Sequence, residues 1–336
     1  MAVNSIGDMA QTFMLRRQTT RMKQEASVAA QELTTGYTAN VGRKLGGDLT
    51  RVAGLEVTLS RLKGYRHVTD MAAMTSNAMQ SVLGQIDALT ENMGPSVLNA
   101  SNMESPRILD TFLKEGTANF KAVLASLNSK VGDRTLFAGI ATNGPAVASS
   151  DVILAALEAA ISGAGAVTAE DMETAVTAWF DDPAGFASIG YLGGAASAPI
   201  AVSAEDRADL GVTAMDPAIK GAVKSLAMIA LADRGTVIPN PETGLKFTRL
   251  AGSALMQNQS DRTYLAGQIG LSQARIEQAQ TRNEAEGAAL RLARSDLLAV
   301  DPYEAATRME AAQTQLETLY SVTARLSRLR LVDFLR

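Results

Sequence analysis

The chain has 336 residues, a formal net charge of −4 and no cysteine, so disulfides, thiolate catalysis and cysteine metal sites are excluded. Aromatic residues make up only 4% of the chain, and Ala, Leu, Gln, Arg and Glu are abundant, as in long helices. No apolar stretch reaches the length of a membrane span, and the first residues lack the apolar centre of a signal peptide. We therefore expect no membrane partner and no export by the general secretory route.

Charge is distributed unevenly. Residues 1–139 carry 15 basic and 12 acidic residues, residues 140–250 carry 6 and 13, and residues 251–336 carry ten of each. The acidic middle indicates a separate domain there. The basic bias of the first segment is mild and dispersed, so we expect no nucleic-acid partner.

The first half of the chain shows helical periodicity. Residues 2–35 predict a first helix that ends at Gly36, and the glycine-rich residues 37–48 predict a loop. A long helix is predicted from about Leu49 to Met93, with an interruption at Gly94–Pro95. Its apolar positions alternate by four and three residues: Val68, Ala72, Thr75, Met79, Val82, Ile86, Leu89 and Met93. Ser105–Pro106 predicts the start of another helix.

The middle of the chain lacks this spacing. It predicts short helices at 152–162 and 169–180, strands near 187–192, 199–203 and 210–215, a helix over Pro217–Arg234, and a turn-rich loop at 235–246. Helical periodicity resumes near Phe247 and continues to Val300. Asp301, Pro302 and Glu304 then mark the start of a terminal helix. Its apolar stripe holds Met309, Ala312, Leu316, Leu319, Thr323 and Leu326.

Helix lengths suggest how these elements pair. Residues 55–93 and 265–300 span roughly 58 and 54 Å, and the first and last helices roughly 50 Å each. The sequence therefore predicts a mainly α fold, an elongated nested antiparallel coiled-coil helical bundle with an inserted α+β domain. The predicted domains are a terminal domain (1–48 and 301–336), a helical rod (49–139 and 247–300) and an outer insert (140–246).

Three segments resemble the bacterial flagellin superfamily, and within it the hook-associated junction proteins. Gln313–Leu319 (QTQLETL) and Leu326–Leu335 (LSRLRLVDFL) resemble the closing helix of that family. Gly132–Gly139 (GDRTLFAG) resembles the turn that leaves its helical domain, and Gln31–Gly36 (QELTTG) the end of its first helix.

The resemblance implies a secreted, extracellular subunit of the bacterial flagellum at the junction between hook and filament. It implies type III export without a cleaved signal and assembly with other copies into a ring or helical array. The implied partners are the other flagellar junction protein, flagellin and an export chaperone. A filament flagellin is an alternative of the same class, and a cytoplasmic helical adaptor or export chaperone is an alternative of a different class.

We expect the assembly interface to lie on the apolar residues of both terminal helices, which would be buried against neighbouring subunits. These are Ile6, Met9, Phe13, Leu15, Met22, Leu33, Leu316, Leu319, Leu326, Leu329, Leu331, Phe334 and Leu335.

The sequence offers no catalytic constellation, so we expect a protein that is not an enzyme and needs no cofactor or metal. His67 is the only histidine, and Asp181–Asp182 precede Pro183 in what is more simply a loop and cap. Gly163-Ala-Gly165 lacks the third glycine of a dinucleotide-binding turn.

Overall fold

The computed structural model describes residues 3–103 and 106–334, and the side chains of 9–103 and 106–326. Contacts divide the chain into two compact units. We call residues 1–62 with 285–336 the terminal unit and residues 63–284 the central unit. These boundaries differ from the predicted ones, and the three-domain division stays a prediction.

The fold is mainly α, as predicted. The helices are α1 (Val3–Thr35), α2 (Val41–Lys44), α3 (Thr50–Thr90), α4 (Met93–Asn102), α5 (Pro106–Leu127), α6 (Ser150–Gly163), α7 (Ala169–Asp181), α8 (Pro217–Arg234), α9 (Pro241–Gln257), α10 (Gln259–Leu298) and α11 (Pro302–Phe334). Two antiparallel pairs of two-residue strands join them: β1 (Lys130–Val131) with β2 (Arg134–Thr135), and β3 (Ile200–Ala201) with β4 (Arg207–Ala208).

In the terminal unit, α1 and α11 pack along each other in antiparallel fashion. Glu32 near the end of α1 pairs with Arg308 near the start of α11, and the Lys23 ammonium lies 5.8 Å from the centre of the Tyr320 ring. Met22 and Ala29, one heptad apart on α1, are buried, and so are Ala305 and Ala312 on α11. Ala312 belongs to the apolar stripe that the sequence predicts for α11.

In the central unit, polar side chains link α3 and α10 in antiparallel register. Gln280 Nε2 donates to Asp70 Oδ1 at 3.1 Å, and Gln80 Nε2 donates to the Ala266 carbonyl at 2.6 Å. The Arg262 guanidinium is 2% exposed and pairs with Asp87 at 2.7 Å, while its other side contacts the Asn258 amide oxygen. The predicted pairing of these two long helices is thereby confirmed over this stretch.

Three features of the middle differ from the sequence prediction. Residues 187–192 form no strand, because Phe186–Gly190 is a π-helical turn. The Phe186 ring stacks on the Phe180 ring, with 4.9 Å between the ring centres. The predicted strand at 199–203 shrinks to β3, and 210–215 is irregular. The predicted loop 235–246 ends early, because the side chain of Asn240 accepts from the Thr243 N–H and starts α9 at Pro241.

The helix interruption predicted at Gly94–Pro95 lies slightly earlier, at residues 91–92 between α3 and α4. Gly94 lies in the first turn of α4, where Pro95 is tolerated. A Cβ on Gly94 would lie 3.0 Å from the Gly252 carbonyl, so glycine here permits the close approach of α4 and α9. The helix α8, in contrast, has the predicted bounds, with the Asp216 side chain capping it through the Ala218 N–H.

The middle of the chain and the long helices share one hydrophobic core. The helix α5 packs against α8, and α4 packs against α9. Phe120 and Leu127 of α5 belong to the same buried cluster as Phe180 and Phe186 of the predicted insert. This shared core makes the stability of the helices depend on residues 140–246.

We predict that Gly116→Ala destabilises the central unit. The new Cβ would lie 2.3 Å from Ile229 Cγ2, so α5 and α8 must separate, at a cost of about 1–3 kcal/mol. The matched control is Gly84→Ala on the exposed face of α3, where a Cβ meets nothing within 4 Å and helix propensity adds about 1 kcal/mol of stability. Thermal unfolding followed by circular dichroism measures both. Equal shifts in the two variants would contradict close packing at Gly116.

We also predict that deletion of residues 146–243 with a short linker leaves a chain that does not unfold cooperatively. The deletion removes α8 and uncovers Phe120, Val123 and Leu127, which are fully buried. Each such side chain loses about 1.5–3 kcal/mol of burial free energy. The measurement is the sharpness of the thermal transition together with binding of an apolar dye. A sharp transition at the wild-type temperature would show that residues 140–246 are an independent domain.

Candidate assembly surface of the terminal helices

The terminal unit is organised around the Glu32 carboxylate. This residue is 4% exposed, although it is charged and lies on α1 three residues beyond the buried Ala29. Its Oε1 accepts from the Ala39 N–H at 2.9 Å and from the Thr38 hydroxyl at 3.2 Å, and its Oε2 accepts from the Arg308 guanidinium at 2.7 Å. One side chain thus joins the end of α1, the loop after it and the start of α11.

Main-chain hydrogen bonds reinforce the same junction. The Thr38 N–H donates to the Leu298 carbonyl at the end of α10, and the Val300 N–H donates to the Gly36 carbonyl, both at 2.9 Å. Tyr37 forms a bridge with Ala299, and the Lys44 ammonium donates to the Ala299 carbonyl. The loops at 36–40 and 298–301 are therefore held together, and they set where α1 ends and α11 begins.

Burial alone raises the pKa of the Glu32 carboxyl. The hydrogen bonds from Ala39, Arg308 and Thr38 and the charge of Arg308 outweigh that effect and hold the pKa below its ordinary value. Glu32 is therefore ionised in the folded protein at neutral pH. A charge beside an apolar seam is itself a sequence signal that a partner must exist, and apolar spacing alone does not reveal it.

The predicted interface residues fall into three groups. Met22 is buried within the terminal unit, and Leu15, Leu316, Leu319 and Leu326 are half-buried. Met9 and Phe13 are 69% and 67% exposed, and Leu33 is 37% exposed. The side chains of Ile6, Leu329, Leu331 and Phe334, and the whole of Leu335, lie outside the described residues.

Several large apolar side chains of α1 and α11 are exposed to solvent. On α1, Met9 and Phe13 are one helical turn apart, and the adjacent Met14 is 68% exposed. On α11, Tyr320 and Val322 are 50% and 39% exposed. We call Met9, Phe13 and Met14, which are neighbours on α1, the terminal apolar surface. Large exposed apolar side chains in such a group are typical of a protein–protein contact.

The remaining motifs show ordinary structural contacts. His67 is exposed on α3, and Asp181 pairs with Lys220 at 2.8 Å. Asp182 accepts from the Ala184 N–H. Among the described residues, no group of three or more His, Asp or Glu side chains is arranged to hold a metal ion. None of the helices searched in that part of the chain is long and apolar enough to cross a membrane.

A small cavity of about 270 Å³ lies beside Glu32 in the terminal unit. Its ionisable lining is balanced in charge, with three cationic and three acidic side chains: Arg43, Lys44, Arg308, Glu32, Asp301 and Glu304. A balanced lining gives an anion or a cation no net attraction. This cavity is therefore part of the junction and does not indicate a ligand site.

Comparison with known proteins finds a family-model match to part of the chain and a similar structure. Residues 252–335 match the family model of the bacterial flagellin C-terminal helical region. No curated protein matches the chain. A structure of a putative flagellar hook-associated protein from Vibrio parahaemolyticus is similar, with 14% sequence identity, coverage of 73% of this chain and 94% of that chain, and a TM-score of 0.49. The family match confirms the predicted resemblance to the flagellin superfamily over α10 and α11.

We predict that Glu32→Gln lowers the free energy of opening of the junction between the two loops by about 1–3 kcal/mol at neutral pH, because it removes a buried charge that accepts hydrogen bonds. The folded pKa of Glu32 is depressed, so its contribution is present above the unfolded pKa and is lost as pH falls through the folded pKa. The junction amides of the wild type should therefore lose protection from hydrogen exchange in acid. In Glu32→Gln, that protection should depend less on pH. Hydrogen exchange of the Thr38 and Val300 amides measures this.

The matched control is Glu25→Gln on the same helix. Its pair with Arg21 has side chains that are 49% and 75% exposed, so the change costs at most about 0.5 kcal/mol. If both substitutions alter amide exchange at Thr38 equally, Glu32 does not organise the junction.

Proposed function

Because the chain carries the helical C-terminal region of the bacterial flagellin superfamily, we propose that it is a structural subunit of the flagellum at the junction between hook and filament. In this proposal the subunit leaves the cell through the flagellar type III system with the help of an export chaperone. It then assembles with other copies, the other junction protein and flagellin. The terminal helices carry the assembly, and the protein has no catalytic role.

The observation that carries the proposal is the terminal apolar surface. It lies on α1, which packs along α11, and α11 belongs to the segment that matches the flagellin family. Phe13 and Met9 have too little cover within the chain to account for their apolar character. Contact with neighbouring subunits would remove about 25 cal/mol of unfavourable hydration per square ångström of apolar surface.

A filament flagellin is the second candidate, because the matching family model is that of the flagellins themselves. The two candidates share export and assembly and differ in position along the flagellum. A deletion strain separates them. Loss of a junction protein leaves hooks without filaments while flagellin is shed into the medium. Loss of a filament subunit leaves either filaments of other flagellins or a medium without shed flagellin.

A cytoplasmic adaptor or export chaperone is the candidate of a different class. It requires the chain to remain inside the cell and to be absent from sheared flagella. Fractionation of cells that carry the wild-type chain therefore tests the proposal directly. Presence only in the cytoplasm would overturn both flagellar candidates.

We predict that Phe13→Asp abolishes assembly while the subunit still folds. The side chain is 67% exposed in the subunit, so a charge there costs little stability until a neighbour covers it. Burial of an unpaired carboxylate in the assembly would then cost several kcal/mol, by the order of magnitude for unpaired polar groups. The measurement is motility of the complemented deletion strain, with circular dichroism of the purified variant.

The control for this variant is Gln24→Asp, which introduces the same charge at an exposed position of α1 about three helical turns from Phe13. It should assemble normally. Normal filaments with Phe13→Asp would show that the terminal apolar surface is not an assembly contact.

A further inference from the structure

The turn after the β1–β2 hairpin contains Asn143–Gly144, the single Asn-Gly pair of the sequence. Asn143 is exposed and lies in a turn of the central unit. Within the described residues, no hydrogen bond engages the Asn143 side-chain amide or the Gly144 N–H. The two groups that must react in asparagine deamidation are therefore adjacent and free.

We propose that Asn143 is a site of spontaneous deamidation, which converts this turn to isoaspartate and loosens the hairpin. The deprotonated main-chain nitrogen of Gly144 attacks Asn143 Cγ, a carbon–nitrogen bond forms, and the side-chain nitrogen leaves as ammonia. Water then opens the five-membered imide at either carbonyl. One opening gives aspartate, and the other gives isoaspartate, in which the main chain runs through the side-chain carbon. The balance is one water consumed and one ammonia released, with no oxidant.

Glycine at position 144 favours the attack because it has no side chain to shield its nitrogen. Asn128 provides a contrast within the same region. It precedes Ser129, another small residue, but its amide is fully engaged: Oδ1 accepts from the Ala146 and Val147 N–H groups at 2.7 and 2.9 Å, and Nδ2 donates to the Val147 carbonyl at 3.1 Å. Asn128 is held away from its own following nitrogen.

The consequence follows from how the turn is held. On one side, the Thr135 N–H donates to the Thr142 carbonyl at 2.9 Å, and the Thr135 hydroxyl donates to the Gly144 carbonyl at 2.7 Å. On the other side, Asn128 fixes Ala146 and Val147. Isoaspartate inserts one extra main-chain carbon between residues 143 and 144, inside this clamped stretch. One of the Thr135 bonds must break to accommodate it.

Thr135 is 2% exposed, and with Thr142 it lines a groove of about 640 Å³ between the hairpin and α3. Loss of its hydrogen bonds therefore alters the wall of that groove. The chemistry is independent of the proposed function. Its effect in the cell rests on that function, because a subunit outside the cell is neither repaired nor replaced and so accumulates isoaspartate with age.

The test uses the purified full-length chain aged at mildly alkaline pH, followed by peptide mapping. Asparagine is a thermolabile residue, so aging should deamidate it. Replacement of its amide by an acid raises the mass of the peptide that contains residue 143 by about one dalton. The same peptide should become a substrate for isoaspartyl methyltransferase. The peptide that contains Asn128 should gain mass several-fold more slowly. No gain at residue 143, or an equal rate at Asn128, overturns the proposal.

Gly144→Ala is the matched variant. An added Cβ meets nothing within 4 Å, so the fold is retained while the nitrogen is shielded, and the rate should fall several-fold. A rate that does not change excludes attack by Gly144. Asn143→Asp adds the negative charge of the product without the extra main-chain carbon, so it separates the effect of the charge from that of the altered backbone. Hydrogen exchange at the Thr135 amide should increase in the aged wild type and stay unchanged in Asn143→Asp, and unchanged exchange in both overturns the loosening of the hairpin.

Discussion

The buried Glu32 carboxylate is the contact on which the terminal unit depends. A carboxylate with 4% exposure is tolerated only when its oxygens are hydrogen-bonded. Here the Ala39 N–H and the Thr38 hydroxyl of the loop, together with the Arg308 guanidinium of α11, donate the bonds. Because those partners lie on separate segments, the carboxylate fixes the end of α1 and the start of α11 together. A change in register between the two helices would separate it from the Arg308 guanidinium.

The terminal unit has little apolar burial of its own. Among its described side chains, the buried apolar ones are Met22, Ala29, Leu62, Ala305 and Ala312, of which three are alanines. Alanine contributes little transfer free energy, so the seam of α1 and α11 is thin. Some of the large apolar side chains of the unit, such as Phe13 and Met9, are exposed instead. This distribution suits helices whose stability is completed by neighbouring subunits.

Periodicity predicted the long helices well, because their apolar spacing is repeated over many turns and agrees with their caps. The helix α8 has Asp216 and Pro217 at one end and Gly235, in the left-handed conformation, at the other, so its bounds could be read directly. The flagellin-like C-terminal segment could also be recognised from its residues. The irregular parts could not. The strand predicted near 187–192 overlaps Phe186–Gly190, where the Phe186 ring packs with Trp179 and Phe180 and the chain winds into a π-helical turn.

The candidate site was predictable in part, for a physical reason. A stripe of apolar residues identifies the face of a helix that avoids water, but it does not tell which surface covers that face. Met22 and Phe13 are both apolar residues of α1, and only the structure separates them, since the first is buried within the subunit and the second is 67% exposed. The distinction arises from which face of α1 packs against α11. The Glu32–Arg308 pair helps to hold that packing, and apolar spacing does not predict such a pair.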